Sequence, residues 1–462
     1  MKTSVIFWAC AAAAAPLTAQ TPAQIDAIFA AYDRKDVPGC ALGVIRDGQL
    51  AYQKGYGSAN LDYALPNGQQ MVYYVGSVSK QFTAAAIALL SLDGKLSLDK
   101  PVSDYIPEMA HLPRMTVRQL VHHTGGVRDI YGLMSLAGIR MEDVLPEADA
   151  IGLIARQKEL NFKPGDDYLY SNSGYLLLAQ IVKRVSGKSL REFADERIFT
   201  PLGMKNTHFH DEPYHVFPNR VISYSPTGPN AYRISYLLNF DKTGAGGLYT
   251  TLGDLLLWDR NFYDNKLGRG FLELMHSRGV LNRGDTLAYA FGLQIGKYRG
   301  LNTVRHSGSL MGFQADLVRF PDQRFSVAAL CNANNIVPTN LANQVAELYL
   351  GDRMGPRPTA AGGRAGAPPQ VQRPTNESVN PADYAGSYRS DELGVTYTVQ
   401  TAGAELRVIG GLPRERTLTA GERDTFRSGG NTYRFERNSA GRVTGFTVEA
   451  GRVRNIRFGR TD

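Results

Sequence analysis

Three cysteines in 462 residues are too few for a disulfide framework, so stability must come from a packed core. Beyond the first twenty residues no apolar run approaches the roughly 20 residues that a bilayer-spanning helix needs. The chain also lacks a Walker-type phosphate loop, a Gly-x-Ser-x-Gly elbow and a His-Glu-x-x-His pair. Nucleotide-loop chemistry, the α/β-hydrolase arrangement and helix-borne zinc catalysis are therefore without their signatures. Charge of one sign is scarce too: 51 Lys+Arg against 43 Asp+Glu leave +8, too mild a bias to argue for nucleic acid. What is present is 43% hydrophobic and 10% aromatic residues, enough for a sizeable core and incompatible with disorder or collagen-like repeats over most of the length.

Residues 1–19 read as a signal peptide. Lys2 supplies the positive start, Val5 to Ala15 the apolar run, and Thr18-Ala19-Gln20 the small-residue cleavage site. The expected mature protein is exported, periplasmic or secreted, with no transmembrane segment. Export places Cys40 and Cys331 in an oxidising compartment where they could pair, but two buried thiols are the favoured expectation.

Thr21-Pro22 followed by Ile25, Ile28, Phe29 and Tyr32 predicts an opening helix. Asp47-Gly48 between two apolar runs predicts a hairpin of Cys40 to Arg46 with Leu50 to Tyr56. An Ala/Leu-rich helix is expected from Ser77 to Leu92, closed by Gly94. Mostly helical segments and loops follow to about residue 275. Three strands are then expected at Thr303 to Arg305, Ala315 to Phe320 and Phe325 to Leu330, and a helix at Asn340 to Leu350. Strands at both ends of one domain imply a sheet sewn together from distant sequence. Residues 352–378, crowded with Gly, Pro and Arg, read as a linker, and the short alternating runs of 379–462 as a small all-β barrel.

Ser77-Val78-Ser79-Lys80 sets a hydroxyl and an amine three residues apart on one helix face. Serine is a weak nucleophile that needs a proton acceptor, and lysine serves only if its surroundings keep it neutral. Ser97-Leu98-Asp99-Lys100 has the same spacing but lies after Gly94 and before Pro101, so it reads as a turn. Tyr170-Ser171-Asn172 leads into an apolar helix. Its phenol, if a neighbouring lysine cation lowered its pKa, would be a general base, and its carboxamide could bind a substrate amide. Taken singly, a loop tyrosine and a capping asparagine explain it better. Three tripeptides compete for a last element on a strand edge: His123-Thr124-Gly125, Lys242-Thr243-Gly244 and His306-Ser307-Gly308. His306 ends a strand-like stretch with strands after it and is preferred, with Lys242 the runner-up and His123 read as a structural turn.

Ser77-x-x-Lys80, Tyr170-x-Asn172 and His306-x-Gly308, in that order, resemble the serine β-lactamase and penicillin-binding protein superfamily, in its class C-like branch. Leu120 to Gly126, Pro201-Leu202-Gly203-Met204 and Gly246 to Thr251 look like that family too. The resemblance covers residues 22–351. It implies an α/β fold of β-lactamase/transpeptidase type, an antiparallel sheet flanked by helices plus a helical subdomain, here followed by a lipocalin-like barrel. It further implies that Ser77 is acylated, that Lys80 and Tyr170 move its proton, and that Asn172 holds the substrate amide. His306 and Gly308 would orient substrate, and the backbone N–H groups of Ser77 and Ser309 would form the oxyanion hole. No cofactor is implied. Where class C lactamases carry lysine in the third motif this chain has His306, a weaker carboxylate anchor, which points away from efficient β-lactam hydrolysis.

The expected activity is thus that of a serine hydrolase on amides or esters, of D-amino-acid peptide hydrolase, D,D-carboxypeptidase or esterase type. Alternatives are a penicillin-binding sensor that is acylated with little turnover and a true class C-like β-lactamase. His208, His210 and His215 with Asp211 and Glu212 form a possible metal cluster, but in a proline-flanked loop without a zinc-helix spacing, so no metal site is assigned. Partners are a small-molecule or peptide substrate and, as a candidate, cell-wall peptide or polymer. From residue 352 onward 17 Arg, no Lys and 12 acidic residues carry +5 of the +8, so attraction to an acidic surface would reside in the barrel module.

Overall fold

A computed structural model describes residues 20–235, 242–357, 380–403 and 405–462. The expected leader and most of the expected linker lie outside the described residues. Residues 352–357 of that linker instead stay on the first domain: the Gly355 N–H donates to the Arg299 carbonyl at 2.7 Å, and Arg357 pairs with Glu347 at 2.8 Å.

Six antiparallel strands form the central sheet, in the spatial order Gln294–Tyr298, Leu301–Leu310, Phe313–Phe320, Phe325–Cys331, Cys40–Arg46, Gln49–Tyr56. The first hairpin turns through Asp47 and Gly48, with φ of 52° and 75°. Both angles are positive, as a tight type I′ turn requires. Side-chain alternation sorts the sheet into two cores. Leu42, Val44, Val318 and Val327 face the helices Gln20–Phe29 and Pro338–Leu350, while Ala41, Ala315, Leu317, Ala328 and Leu330 face the larger helical region containing Lys80–Leu92 and Asn172–Ser186. The copy of the Ser-x-x-Lys spacing at Ser97 is a turn, in which the Lys100 N–H reaches the Ser97 carbonyl at 3.4 Å.

Two expectations are corrected. Cys40 and Cys331 are not free thiols. They stand directly opposite one another on neighbouring strands, with Cα atoms 4.0 Å apart, and form a disulfide. Which distant strands become neighbours is a tertiary fact, so the short separation was invisible in the sequence. Removing the bridge with Cys40→Ala and Cys331→Ala together should destabilise the fold by about 2–4 kcal/mol in denaturant unfolding. Catalytic rates should survive, because the bridge lies in the core on the face away from Ser77. The second correction concerns His306. Its strand does not end at residue 305 but runs through Leu310, while its outer neighbour pairs only as far as Arg305. Residues 306–310 therefore pair only on their inner side, with residues 313–317, and among the described residues have no strand on their outer edge.

The carboxy-terminal eight strands, Gly386–Ser390 through Val453–Arg460, close into an antiparallel barrel. Residues two apart point inward, as in Tyr397 and Val399, Tyr433 and Phe435, and Phe446 and Val448, and an aromatic cluster fills the interior. The barrel is not a loosely appended module. Arg128, from the first domain, is fully buried against it: its guanidinium donates to the Arg454 and Asn455 carbonyls, each at 2.8 Å, and pairs with Glu392 at 2.6 Å. Tyr397 of the barrel donates its hydroxyl back to the Leu136 carbonyl at 2.6 Å. At Gly132 an added Cβ would lie 2.5 Å from Val453, so the absence of a side chain there lets the two domains meet.

Candidate active site

Val75 ends a strand-like stretch, Gly76 turns the chain at φ 52°, and a short 3-10 turn over Gly76–Ser79 feeds the helix Lys80–Leu92. The alanine-rich helix is buried from Lys80 to Leu90, so its first turn is rigidly held. Ser79 is committed to structure, donating to the Gly76 carbonyl at 2.6 Å and accepting from the Leu248 N–H at 3.2 Å. Ser77 lines a cavity of about 210 Å³ together with Tyr74, Tyr170, Asn172, Ser309 and Arg452.

Lys80 is wholly buried, and its Nζ has three oxygen neighbours: the Ala245 carbonyl at 2.7 Å, Asn172 Oδ1 at 2.9 Å and Ser77 Oγ at 3.1 Å. The first two can only accept. A neutral amine has two hydrogens for them and one lone pair left for the Ser77 hydroxyl proton. Burial drives Lys80 toward that neutral form, holding its pKa well below the usual lysine value. Asp129 opposes this and Arg452 adds to it.

Tyr170 stands over this pair, with Lys80 Nζ 4.8 Å from its ring centre. Its hydroxyl is buried and completes no hydrogen bond of normal geometry. Here the reading of a phenol made acidic by a lysine cation is corrected. Burial raises the Tyr170 pKa above the usual phenol value and outweighs Ser77 and Arg452, which lower it. The lysine meant to acidify it is itself neutralised by burial, so it supplies no positive charge. Tyr170 is a proton-bearing phenol at neutral pH.

Asn172 opens the helix Asn172–Ser186, for which Ser171 rather than Asn172 is the cap. Its amide is fixed at both ends, by Lys80 on the oxygen and by Asp129 Oδ2 on Nδ2 at 2.8 Å. The same Asp129 oxygen receives the Asn172 backbone N–H at 2.7 Å.

Gly308 brings the projecting strand against the Ser77 turn. A Cβ there would lie 2.0 Å from the Val75 carbonyl and 2.8 Å from Ser77 N, and one on Gly76 would lie 2.7 Å from Ser309 N. The absence of these two Cβ atoms puts the backbone nitrogens of Ser77 and Ser309 on one wall of the cavity.

His306 does not line that cavity. It is buried, its Nδ1 donates to the Ser307 carbonyl at 2.6 Å, and its Nε2 accepts from Tyr289 Oη at 3.0 Å. Burial pushes its pKa down to about 3. A neutral ring with both nitrogens occupied packs the strand in place and offers nothing to a substrate carboxylate. The runner-up, Lys242, is buried and donates to the Leu145 carbonyl at 2.5 Å. His123 does sit in a turn, at φ 59°, but it also backs the site: its ring lies 4.2 Å from that of Tyr170, and its Nδ1 accepts the Ser171 N–H. His208 and His210 lie near Arg220 with pKa values depressed to about 3 and 4, chiefly by burial.

Three site residues escaped the sequence reading. Asp129 carried a visible signal as an acidic cap before the apolar helix Ile130–Leu136, which is a structural signature rather than a functional one. Tyr74 and Arg452 carried none. Arg452 arrives from the barrel, 375 positions after Ser77, on the turn between Val443–Ala450 and Val453–Arg460.

The family model for beta-lactamase matches residues 25–351, most of the chain. The chain belongs to the beta-lactamase family. Among curated relatives of this beta-lactamase-family chain, a D-aminopeptidase of Gluconobacter oxydans is 27% identical over 378 residues, covering 80% of this chain and 67% of its own. A D-aminopeptidase of Cereibacter sphaeroides is 30% identical over 302 residues, covering 64% and 57%. The chain thus spans between about half and two thirds of the length of these relatives. Among solved structures, the octameric penicillin-binding protein homologue from Pyrococcus abyssi superposes with a TM-score of 0.63 at 22% identity, over 96% of this chain and 99% of that one. The two-part fold of this family member, hydrolase domain plus barrel, therefore recurs as a unit.

Proposed function

We propose that this chain is an exported serine hydrolase that cleaves amide or ester bonds through an acyl-enzyme on Ser77, with D-amino-acid amides and short D-peptides as its substrate class. The observation that carries the reading is the Lys80 amine, buried, held by two carbonyl-type acceptors and left with one lone pair toward Ser77. Ser77 Oγ passes its proton to Lys80 as it attacks the substrate carbonyl carbon. The carbonyl oxygen becomes an oxyanion between the Ser77 and Ser309 N–H groups. The Tyr170 hydroxyl proton goes to the departing nitrogen or oxygen, and Lys80 replaces it. Water then takes the place of the leaving group and the same steps free the acid. Asn172 supports the reading as a fixed carboxamide on the cavity wall. His306 and Gly308 act by placing the strand that holds Ser309.

The names of the relatives support D-amino-acid specificity. Short-chain esters and D,D-carboxypeptidase-type peptides fit the same chemistry. The leader-like residues 1–19 and the Cys40–Cys331 bridge support export, and the basic excess after residue 352 supports association with acidic cell-wall polymer.

The test is a panel on purified protein: D-alanine p-nitroanilide, a short-acyl nitrophenyl ester and a chromogenic cephalosporin, each with intact-protein mass spectrometry. Turnover of the D-alanyl amide with a transient acyl adduct on the Ser77 peptide is expected. A cephalosporin adduct that persists without turnover would instead mark a penicillin-binding sensor. Gly308→Ala gives a sharper prediction. Its methyl meets the Val75 carbonyl, pushes Ser309 away from Ser77 and should lower kcat by about 10²-fold or more. Full kcat in a folded Gly308→Ala protein rules out this backbone pair as the oxyanion hole.

A further inference from the structure

We infer that the barrel completes the substrate site, and that Arg452 selects substrates carrying a carboxylate on the acyl side of the scissile bond. The inference rests on the acyl-enzyme reading above and deepens it.

The first observation is placement. Arg452 lines the same cavity as Ser77, together with Asn172 and Tyr131. Its backbone is pinned from the first domain: the Arg452 carbonyl accepts from Asn161 Nδ2 at 3.0 Å and from the Asp129 N–H at 3.3 Å. Next to it, the Arg454 N–H donates to Asn161 Oδ1 at 2.8 Å. The turn is held to the hydrolase domain by main-chain bonds that leave the side chain free to serve the cavity.

The second observation is availability. The guanidinium lies 5.2 Å from the Tyr170 ring centre and stays 44% exposed. Among the described residues its one hydrogen bond is a long one, 3.5 Å from Nη1 to Asp129 Oδ2. Asp129 is already occupied by Asn172 and the Tyr131 N–H. A guanidinium has five N–H donors in a planar fork that matches a carboxylate, so most of its capacity faces the cavity unused.

The third observation is that the alternatives fail. His306 is neutral, buried and fully engaged, and Lys80 is committed to Ser77 and two carbonyl-type oxygens. Arg452 is the exposed cationic side chain among the residues lining the cavity. The same charge repels the free ammonium that an aminopeptidase substrate presents. Among D-amino-acid amides the best-fitting acyl group therefore has its amine capped and bears an acid, as in an N-succinyl D-residue, and free-amine amides are turned over less well.

The test compares three substrates with one leaving group: N-succinyl-D-alanine, N-acetyl-D-alanine and free D-alanine p-nitroanilides. Wild type should show a KM for the succinyl substrate about tenfold or more below that for the acetyl one, the size expected of a charge-assisted hydrogen bond. R452A should erase that ratio, R452K should keep part of it, and R452E should make the free-amine substrate the best of the three. Equal KM values for succinyl and acetyl substrates in wild type, or R452A weakening both by one factor, overturns the inference while Ser77-dependent turnover leaves the acyl-enzyme reading intact. No turnover of any of the three and no adduct on Ser77 brings down both.

Discussion

Ser77→Ala should lower turnover of a D-alanyl amide by on the order of 10⁴-fold or more and abolish the acyl adduct, leaving the melting temperature close to that of wild type. The size follows from the order of the steps, since without Oγ there is no covalent intermediate and the remaining groups can act only on water. The neutrality toward folding follows from what Oγ touches. Oγ bonds to Lys80 Nζ at 3.1 Å, whereas the hydroxyl that ties the turn together belongs to Ser79. Alanine is also well tolerated at the start of a helix. Ser79→Ala supplies the contrast: it strips the bonds to Gly76 and Leu248 and should cost stability. If Ser77→Ala keeps wild-type turnover, the nucleophile lies elsewhere and the functional reading falls with it.

The parts of this molecule legible in its sequence are those fixed by neighbours in the chain. The Asp47-Gly48 hairpin, the helix closed by Gly94, the decoy turn at Ser97 and the alternation of the barrel strands follow from local rules, and the structure contains each of them. The first two motifs come together, with Ser77, Lys80, Tyr170 and Asn172 around one cavity or one amine, and from the third it is Ser309, just after the motif, that lines the cavity. What the sequence hid depends on distant contacts. The register that sets Cys40 opposite Cys331 spans 291 positions. Burial keeps both Lys80 and Tyr170 neutral, and burial is a property of the assembled core. The strand carrying His306 outruns its outer partner only, and the residue at the motif position serves packing while Ser309 and Leu310 reach the cavity. The linker's composition says nothing of how the barrel docks, whereas in the structure Arg128 binds three barrel residues and Arg452 reaches the cavity that Ser77 lines.

Lys80→Met is expected to reduce kcat by about 10²–10⁴-fold, the range for losing a positioned general base. Methionine preserves most of the volume packed between the Tyr170 and Tyr175 rings, so the loss isolates the amine. The pH dependence distinguishes this base from any other. In wild type, activity should rise with pH as a group titrating well below the ordinary lysine value of 10.5 loses its proton, and the residual activity of the variant should lack that limb. Stability carries a matching signature. Between the depressed folded pKa of Lys80 and 10.5 the unfolded chain holds a proton that the folded chain has released. Unfolding in that window therefore takes up a proton, and wild-type stability climbs as pH rises. Lys80→Met has no such proton and should lose that part of the slope in denaturant titrations at pH 7 and pH 9. The two readouts fail separately: an unchanged activity limb in the variant assigns the base to another group, and an unchanged stability slope means that Lys80 is protonated in the folded protein.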